Sequence, residues 1–307
     1  MRAGLTKTGQ KELYSKYLYD DLGTALFEAI TLLPEYGLTR ADLRLLDRHA
    51  SLLPEHCVSL STVVELGSGS GEKARRILPH LLKCGPITYC PIDLSSAALS
   101  RCQRDLDDID QLKVIPFEDS YIDGLASASM LRKPGTPMLV LFLGSSLGNF
   151  DPPVAESFLR AVRELLEPGD VFLLGTDLVK NLDQMLAAYN DAVGLTAVFN
   201  LNLLARINRA LHGNFDLKQF EHEARYNESR ERIEMHLRSK SDQTISINQS
   251  FSVSLKKGET IWTESSYKFR PEQVRAMAER VGFSCELQWI DEEWPFAQSL
   301  LRSKSYD

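Results

Sequence analysis

The chain has 307 residues, of which 43% are apolar and 25% charged, and its formal net charge is −7. This composition is typical of a folded globular protein, and it excludes collagen-like, disordered and disulfide-framework chains. The acidic balance argues against nucleic acid as a partner, because no broad surface for phosphate contacts is expected. The length suggests two domains, or one domain with a large insertion.

Neither a membrane-spanning helix nor a secretory signal is predicted. The longest apolar run, residues 138–143, is far shorter than the ~20 residues that a membrane-spanning helix needs. The N-terminal segment lacks the apolar core of a signal peptide. The five cysteines form no C-x-x-C pair, and the histidines show no metal-ligand spacing. We therefore expect a cytoplasmic protein without a bound metal.

Two parts of the chain show helical spacing outside its centre. Near the start, apolar residues share one helical face at Leu22, Leu26, Phe27 and Ile30. The segment from Thr39 to Asp42 resembles a capping box, which predicts that the next helix begins there. Residues from about 180 to 230 again show the spacing of helices.

The centre of the chain alternates short apolar runs with helical patterns. Strands are predicted at residues 61–66, 89–94, 113–115, 138–143 and 170–178, and the clearest helix between them covers 153–166. The strands are rich in Val, Ile and Leu and do not alternate, as expected when both faces of a sheet are covered. Repeated strand–helix–strand units predict an α/β fold with a doubly wound parallel sheet.

The C-terminal part changes to the alternating pattern of exposed sheets. Strands are predicted at 232–239, 243–248, 251–255 and 259–266, followed by a helix from Pro271 to Gly282 and a final strand at 285–290. We therefore expect an α/β core of residues 41–179 and 269–307. A discontinuous α+β domain of residues 1–40 and 180–268 is expected beside it.

A glycine-rich turn follows the first predicted core strand. Gly67, Gly69 and Gly71 occupy alternate positions before a helical segment, which allows a close backbone approach to a ligand. The second strand ends at Asp93, whose carboxylate can accept hydrogen bonds from both hydroxyls of a ribose. The combination favours a nucleoside site over a turn that serves packing alone.

The residue after the third glycine separates two nucleoside ligands. A dinucleotide fingerprint has glycine at this position, whereas this chain has Glu72, which would repel a pyrophosphate at the helix start. E-L-G-x-G-x-G followed by an acid after strand two instead resembles the cofactor motifs of class I S-adenosylmethionine methyltransferases. That resemblance implies a Rossmann-like fold. Lys73 is either a solvated helix residue or a contact to the methionyl carboxylate.

A second glycine turn, G-S-S-L-G-N-F at residues 144–150, follows the strand at 138–143. Asn149 is expected over the cofactor cleft, where its amide either binds a small polar substrate or supports the turn. This turn resembles that of the histidine Nα-methyltransferase family of ergothioneine biosynthesis. Further segments carry the resemblance in chain order: Y-D-D-L-G-T-A-L-F at 19–27, L-P-E-Y at 33–36, A-A-Y-N-D at 187–191, F-N-L-N at 199–202, I-E-M at 233–235 and T-E-S-S at 263–266.

The resemblance implies a reaction and a set of roles. Histidine is converted with three equivalents of S-adenosylmethionine into the trimethylated betaine hercynine. The residues that would line the cofactor are Gly67, Lys73, Asp93, Ser120 and Tyr121. Asn149, beside Gly144, would hold the substrate carboxylate together with Tyr189. Tyr36, Glu264, Ser265, Ser266 and Met235 would surround the imidazole, and Tyr19 and Phe27 would approach the amine and the sulfonium.

Two other functions remain open at this point. One is a related enzyme that methylates the α-amine of another amino acid; the other is a nucleoside-binding module without turnover. A dehydrogenase is disfavoured by Glu72. For the leading hypothesis, we expect Tyr19 and Asn149 to act in catalysis by orienting the substrate. We expect Glu264 to select histidine, because a buried carboxylate rejects ligands without an N–H donor. The expected partner is a small-molecule substrate, and the expected state is a monomer.

Overall fold

The computed structural model describes residues 1–248 and 250–305. The chain divides into two compact units. The insertion unit consists of Met1–Gly37 and Lys180–Lys268, and the sheet unit consists of Leu38–Val179 and the described residues from Phe269 onward. The first boundary therefore falls before the one expected after residue 40. Residues 249, 306 and 307 of the expected domains lie outside the described residues.

The elements of the described residues are as follows. The helices are α1 (Arg2–Leu5), α2 (Asp21–Thr31), α3 (Gly37–His49), α4 (Leu53–His56), α5 (Glu72–Leu81), α6 (Ser96–Leu106), α7 (Tyr121–Ser129), α8 (Pro152–Leu165), α9 (Leu182–Tyr189), α10 (Leu195–Leu211) and α11 (Pro271–Arg280). The strands are β1 (Lys11–Glu12), β2 (Thr62–Leu66), β3 (Ile87–Asp93), β4 (Leu112–Val114), β5 (Phe117–Glu118), β6 (Met138–Phe142), β7 (Val171–Asp177), β8 (Phe220–Asn227), β9 (Arg232–Ser239), β10 (Gln243–Ile247), β11 (Phe251–Leu255), β12 (Thr260–Tyr267), β13 (Phe283–Asp291) and β14 (Phe296–Ser303).

The sheet unit is built on one mixed sheet of order β13-β14-β7-β6-β2-β3-β4, with β5 paired to β3. Strands β2, β3, β4, β6 and β7 are parallel, so their carboxyl ends meet at one edge. One apolar core packs α7, α8 and α11 on one face of the sheet. A second core packs α5 and α6 on the other face. The predicted doubly wound α/β fold is confirmed.

The end of this sheet differs from the prediction. The strand expected to be final, β13, is followed by β14, which pairs antiparallel with both β13 and β7. Gln298 and Ser299 interrupt the apolar pattern of β14, although both are buried. The Gln298 amide donates to the Asp42 carboxylate at 2.7 Å, and Ser299 Oγ accepts from the Gln288 amide at 3.0 Å. These hydrogen bonds make the polar strand compatible with the core.

The capping box expected at Thr39 is wrong. Helix α3 begins at Gly37, directly after a turn in which the Tyr36 N–H donates to the Leu33 carbonyl. The Asp42 side chain does not return to the helix start, because it accepts hydrogen bonds from the Gly144 N–H and from Gln298. The Asp42 carboxylate therefore takes part in tertiary hydrogen bonds and not in the helix cap that the sequence pattern predicted.

The insertion unit contains a four-stranded sheet of order β1-β12-β9-β8 and a separate β10-β11 hairpin. The helical prediction for residues 180–230 is wrong at β8, whose sequence F-E-H-E-A-R-Y-N has few strand-forming residues. Antiparallel pairing with β9 over the whole strand overrides that weak preference. The register between β12 and β9 shifts between Trp262 and Glu264. This irregularity, with the alternation beyond it, brings Glu264 opposite Met235.

Glu65, in the middle of β2, predicts a pH dependence of stability. It is 2% exposed and accepts a hydrogen bond from the Tyr89 hydroxyl, and burial raises the pKa of Glu65 to about 7. A raised carboxyl pKa stabilises the fold below the unfolded pKa, and this stabilisation is lost as pH rises through the folded value. The Glu65→Gln variant is therefore expected to lose less unfolding free energy between pH 4.5 and 8 than the parent, by about 1–3 kcal/mol.

Urea unfolding at both pH values measures this difference. Glu264, whose pKa is also raised to about 7 by burial, is present in both proteins, so its contribution cancels. Equal pH dependence of the two proteins would show that Glu65 is not protonated in the folded state near neutral pH.

Candidate active site

The glycine turn after β2 is shaped to admit a ligand. Gly67 has φ +74°, and a Cβ placed there would lie 3.2 Å from the Tyr121 hydroxyl oxygen. The Gly67 N–H donates to the Ile92 carbonyl at 2.8 Å, which holds the turn against the end of β3. A side chain at this position would meet both a left-handed backbone and the tyrosine.

Asp93, at the end of β3, links the glycine turn to the segment that follows β3. Its Oδ2 accepts from the Gly69 N–H and its Oδ1 accepts from the Ser95 N–H, each at 3.0 Å. A carboxylate oxygen accepts more than one hydrogen bond, so both oxygens keep acceptor capacity for a pair of ribose hydroxyls. The Ser68 hydroxyl in the same turn is buried and has no hydrogen-bond partner within the described chain. The turn therefore fits a nucleoside.

Ser120 and Tyr121 have different surroundings at the start of α7. The Ser120 hydroxyl caps this helix, accepting from the Asp123 N–H at 3.3 Å and donating to its carboxylate at 2.6 Å. The Tyr121 ring packs 5.3 Å from Phe142, and burial raises the pKa of Tyr121 to about 12. Of the two side chains, that of Tyr121 lies against the glycine turn.

Asp42 is a site residue that the sequence did not reveal as one. It is fully buried, and its Oδ2 lies 2.9 Å from both Lys73 Nζ and the Gly144 N–H nitrogen. Gly144 has φ +75°, and a Cβ there would lie 2.8 Å from Lys73 Nζ. Asp42 therefore ties the lysine of the first glycine turn to the start of the second. The sequence pattern indicated a helix cap for Asp42, so its contact with Lys73 was not predicted.

Asn149 ends the second glycine turn with its side chain available. The turn is stabilised by Ser145, whose Oγ accepts from the Asp177 N–H at 2.8 Å. The Asn149 amide is half-buried and makes no hydrogen bond within residues 1–248 and 250–305. The Asn149 amide therefore does not stabilise the turn through a hydrogen bond. Its unused donors and acceptor favour contact with a ligand.

An aromatic cluster occupies the insertion unit. Phe27 is its centre, with ring centroids 5.7 Å from Tyr19, 6.1 Å from Tyr36 and 6.0 Å from Phe199. The Tyr36 ring also lies 6.2 Å from Tyr189. The structure thus brings four of the expected site residues together. Phe199, which the sequence placed in a shared motif without a role, completes the cluster.

A polar group lies beside these rings. The Tyr189 hydroxyl donates to Ser266 Oγ at 2.7 Å, and Lys268 Nζ lies 2.9 Å from both oxygens. Lys268 is 3% exposed and its Nζ is also 4.7 Å from the centroid of the Tyr189 ring. The sequence did not single out Lys268, because a lysine directly after a strand is usually solvated.

Glu264 belongs to the same group. It is 8% exposed and lies on the face of β12 that carries Ser266, opposite Met235 on β9. Burial raises the pKa of Glu264 to about 7, against the opposing effects of the Lys268 charge and of a hydrogen bond with Tyr19. Ser265 pairs with Glu234, and strand alternation directs it to the opposite face. The Ser265 side chain is therefore separated from the group.

His222 supports Tyr189 from β8. His222 Nε2 lies 2.7 Å from the Tyr189 carbonyl, and His222 Nδ1 lies 3.0 Å from the Asn200 amide nitrogen. Because the amide nitrogen can only donate, Nδ1 accepts and the proton is on Nε2. Burial lowers the pKa of His222, which favours this neutral form. The end of α9 is thereby fixed to the sheet.

Membrane-spanning helices and metal-binding clusters are both absent from the described residues. None of their helices has both the length and the apolar character to cross a membrane. No cluster of three or more His, Cys, Asp or Glu side chains arranged to hold a metal ion occurs among them.

The fold and the glycine turn together define a class I methyltransferase. The profile of a family described as histidine-specific, S-adenosylmethionine-dependent methyltransferases matches residues 1–303. The chain belongs to this family of S-adenosylmethionine-dependent histidine methyltransferases. The resemblance stated from the sequence is thereby confirmed.

Similar proteins align with this chain over nearly its full length. A histidine N-alpha-methyltransferase from Mycobacterium tuberculosis is 38% identical over 97% of this chain and 92% of its own. One from Mycolicibacterium smegmatis is 37% identical over 98% of this chain and 92% of its own. A solved structure from Thermobifida fusca, described as a candidate methyltransferase, covers 98% of both chains with a TM-score of 0.51 and 12% identity. It supports the fold alone.

Proposed function

We propose that the protein methylates the α-amino nitrogen of L-histidine three times and releases hercynine, as a step in ergothioneine biosynthesis. The observation that carries the proposal is the buried polar group of the insertion unit. Glu264, Ser266 and Tyr189 lie together there next to aromatic rings. An imidazole and a carboxylate are the polar parts of histidine that such a group can recognise.

In this proposal the insertion unit is the substrate-binding domain. Glu264 accepts a hydrogen bond from an imidazole N–H, and Ser266 contacts the other ring nitrogen. Tyr36 and Met235 pack around the ring. The Tyr189 hydroxyl, which the resemblance assigned to the α-carboxylate, instead donates its proton to Ser266 and supports that residue. The Tyr19 and Phe27 rings accept the positive charge of the methylated amine, an interaction worth about 0.5–2 kcal/mol. Tyr19 also orients the amine.

The sheet unit is the cofactor-binding domain in the same proposal. Asp93 accepts from the ribose hydroxyls, Gly67 lets the backbone approach, and Tyr121 and Ser120 lie towards the adenine. Lys73 keeps donors beyond its contact with Asp42, and one of them binds the methionyl carboxylate. When bound, S-adenosylmethionine supplies an electrophilic methyl group on a sulfonium.

The chemistry places few demands on the protein beyond orientation. The α-amine must be unprotonated, and because the adjacent carboxylate raises its pKa above the ~8 of a peptide N-terminus, only a small minority of it is unprotonated at neutral pH. No dedicated base is then needed, since the proton can leave to water. Holding the amine in line supplies much of the rate, because effective molarities in well-oriented systems contribute several kcal/mol. The residues named above serve that positioning.

Mass spectrometry of histidine incubated with the protein and S-adenosylmethionine tests the proposal. Products carrying one, two and three methyl groups are expected, with the trimethylated product accumulating. A panel of the other amino acids tests the related enzyme that methylates a different α-amine. Binding of S-adenosylmethionine without any methylated amino acid or S-adenosylhomocysteine would favour the non-catalytic module and contradict the proposal.

The Lys73→Met variant separates a cofactor contact from a purely structural ion pair. We expect it to weaken binding of S-adenosylhomocysteine about tenfold, because a hydrogen bond to a charged group is lost. Binding of 5′-methylthioadenosine, which lacks the amino acid tail, is expected to be unchanged. Calorimetry with both ligands measures this, with exposed Lys83→Met as the control. Equal losses for both ligands would assign Lys73 to the structure of the turn.

The setting of the enzyme is also part of the proposal. We expect a monomeric cytoplasmic protein that acts on a free metabolite, without nucleic acid or a membrane as partner. All five cysteines are free, which agrees with a reducing compartment. Sedimentation of the purified protein and fractionation of cells test these expectations.

A further inference from the structure

We infer that Lys268 is a positioning residue that makes Ser266 a hydrogen-bond donor to the substrate and so selects one neutral tautomer of its imidazole. The inference rests on the proposed function, in which Ser266 and Glu264 contact that ring. Lys268 follows β12 directly and is 3% exposed. Its Nζ lies 2.9 Å from the Tyr189 hydroxyl and 2.9 Å from Ser266 Oγ.

The direction of the two lysine hydrogen bonds follows from the chemistry of the groups. An ammonium group has three N–H donors and no acceptor, so Lys268 donates to both hydroxyl oxygens. The Tyr189 hydroxyl in turn donates to Ser266 Oγ at 2.7 Å. Ser266 Oγ therefore accepts two hydrogen bonds from the protein, which occupy both of its lone pairs. The Ser266 proton is left for a third partner.

This arrangement restricts the ring that can bind. Glu264 lies two residues before Ser266 on the same face, and its carboxylate accepts hydrogen bonds. A ring between the two needs an N–H towards Glu264 and a lone pair towards Ser266. Neutral imidazole has one nitrogen of each kind, whereas imidazolium has two N–H groups and would oppose the Ser266 donor with another donor. The site then binds neutral imidazole in one tautomer.

Lys268 is needed for this selection because hydroxyl groups rotate. Without the ammonium, one lone pair of Ser266 and one of Tyr189 lose their donor. Ser266 can then donate to Tyr189 and accept from a ligand, which reverses the pattern presented to the ring. The short distances to both hydroxyls and the position over the Tyr189 ring keep the ammonium in place.

A double-mutant cycle tests whether Lys268 acts through Ser266. Lys268→Met and Ser266→Ala are each expected to raise the KM for histidine about tenfold and to leave kcat within about twofold. The double variant is expected to be no worse than the poorer single variant, because both changes remove one interaction. Multiplicative losses in the double variant, or an unchanged KM in Lys268→Met, would overturn the inference.

The protonation of the bound ring gives a direct readout. Nitrogen NMR of ring-labelled histidine, bound with S-adenosylhomocysteine, is expected to show one protonated and one unprotonated nitrogen in the parent protein. Lys268→Met is expected to show averaged or exchanged tautomers, whereas Lys268→Arg keeps the donors and the parent pattern. A bound imidazolium in the parent, or the parent pattern in Lys268→Met, would refute the role of Lys268.

Controls separate this inference from the proposed function. Lys256→Met removes the same charge from an exposed ion pair with Asp242 in the same unit, and it is expected to leave the KM unchanged. If the parent neither binds nor methylates histidine, the proposed function fails. If the parent does both and the cycle is multiplicative, the inference alone fails. Should Lys268→Met not fold, the bound-ring spectra of the parent and of Lys268→Arg still decide: loss of the single tautomer in either contradicts it.

Discussion

Replacement of Glu264 by alanine is expected to raise the KM for histidine at least about tenfold and to narrow the preference for histidine over tryptophan and tyrosine. The buried carboxylate, 8% exposed, is paired by the imidazole N–H of histidine, whereas the larger indole and phenol rings carry their donors at other positions and leave it unpaired. Removal of this carboxylate therefore weakens the binding of histidine and removes the energetic penalty on binding tryptophan or tyrosine. Steady-state kinetics with all three amino acids measure both effects.

Two variants sharpen this experiment. Glu264→Gln keeps the shape and one acceptor oxygen but not the charge, and its KM is expected to lie between those of the parent and of Glu264→Ala. Glu221→Ala removes a carboxylate from β8 that is paired with Arg238 and 40% exposed. The control is expected to behave as the parent. Parent-like kinetics in Glu264→Ala would exclude this carboxylate from substrate selection.

Replacement of Asp93 by alanine is expected to weaken S-adenosylhomocysteine binding at least about a hundredfold. The change removes the proposed acceptor of both ribose hydroxyls, and hydrogen bonds to charged groups are worth about 1.5–3 kcal/mol each. It also removes the acceptor of the Gly69 and Ser95 N–H groups, which shape the turn. Calorimetry of the purified variant measures the loss.

Matched variants separate the ribose contact from the shape of the turn. Asp93→Asn keeps one carbonyl oxygen and is expected to bind with intermediate affinity. Asp108→Ala, which removes a carboxylate from an exposed ion pair with Arg75, is expected to bind as the parent does. Cofactor affinity unchanged by Asp93→Ala would show that the nucleoside lies elsewhere.

Sequence patterns predict the parallel core well because its strands are buried on both faces and its turns carry glycine. The prediction is wrong where tertiary contacts decide: β8 is a strand through its pairing with β9, and β14 tolerates Gln298 through its hydrogen bond with Asp42. The same applies to the site. Glycine turns and motif residues were recognisable, whereas Lys268 and Asp42 acquire their roles from partners distant in the chain.

The position of β14 has a consequence for biosynthesis. This strand pairs with β7 from Asp177 to Val171, so the central sheet is incomplete until the ribosome has released residues 296–303. By then every residue of the insertion unit has already been synthesised. Domains generally fold as units during synthesis. We therefore expect the insertion unit to fold, and to become resistant to protease, before the sheet unit does.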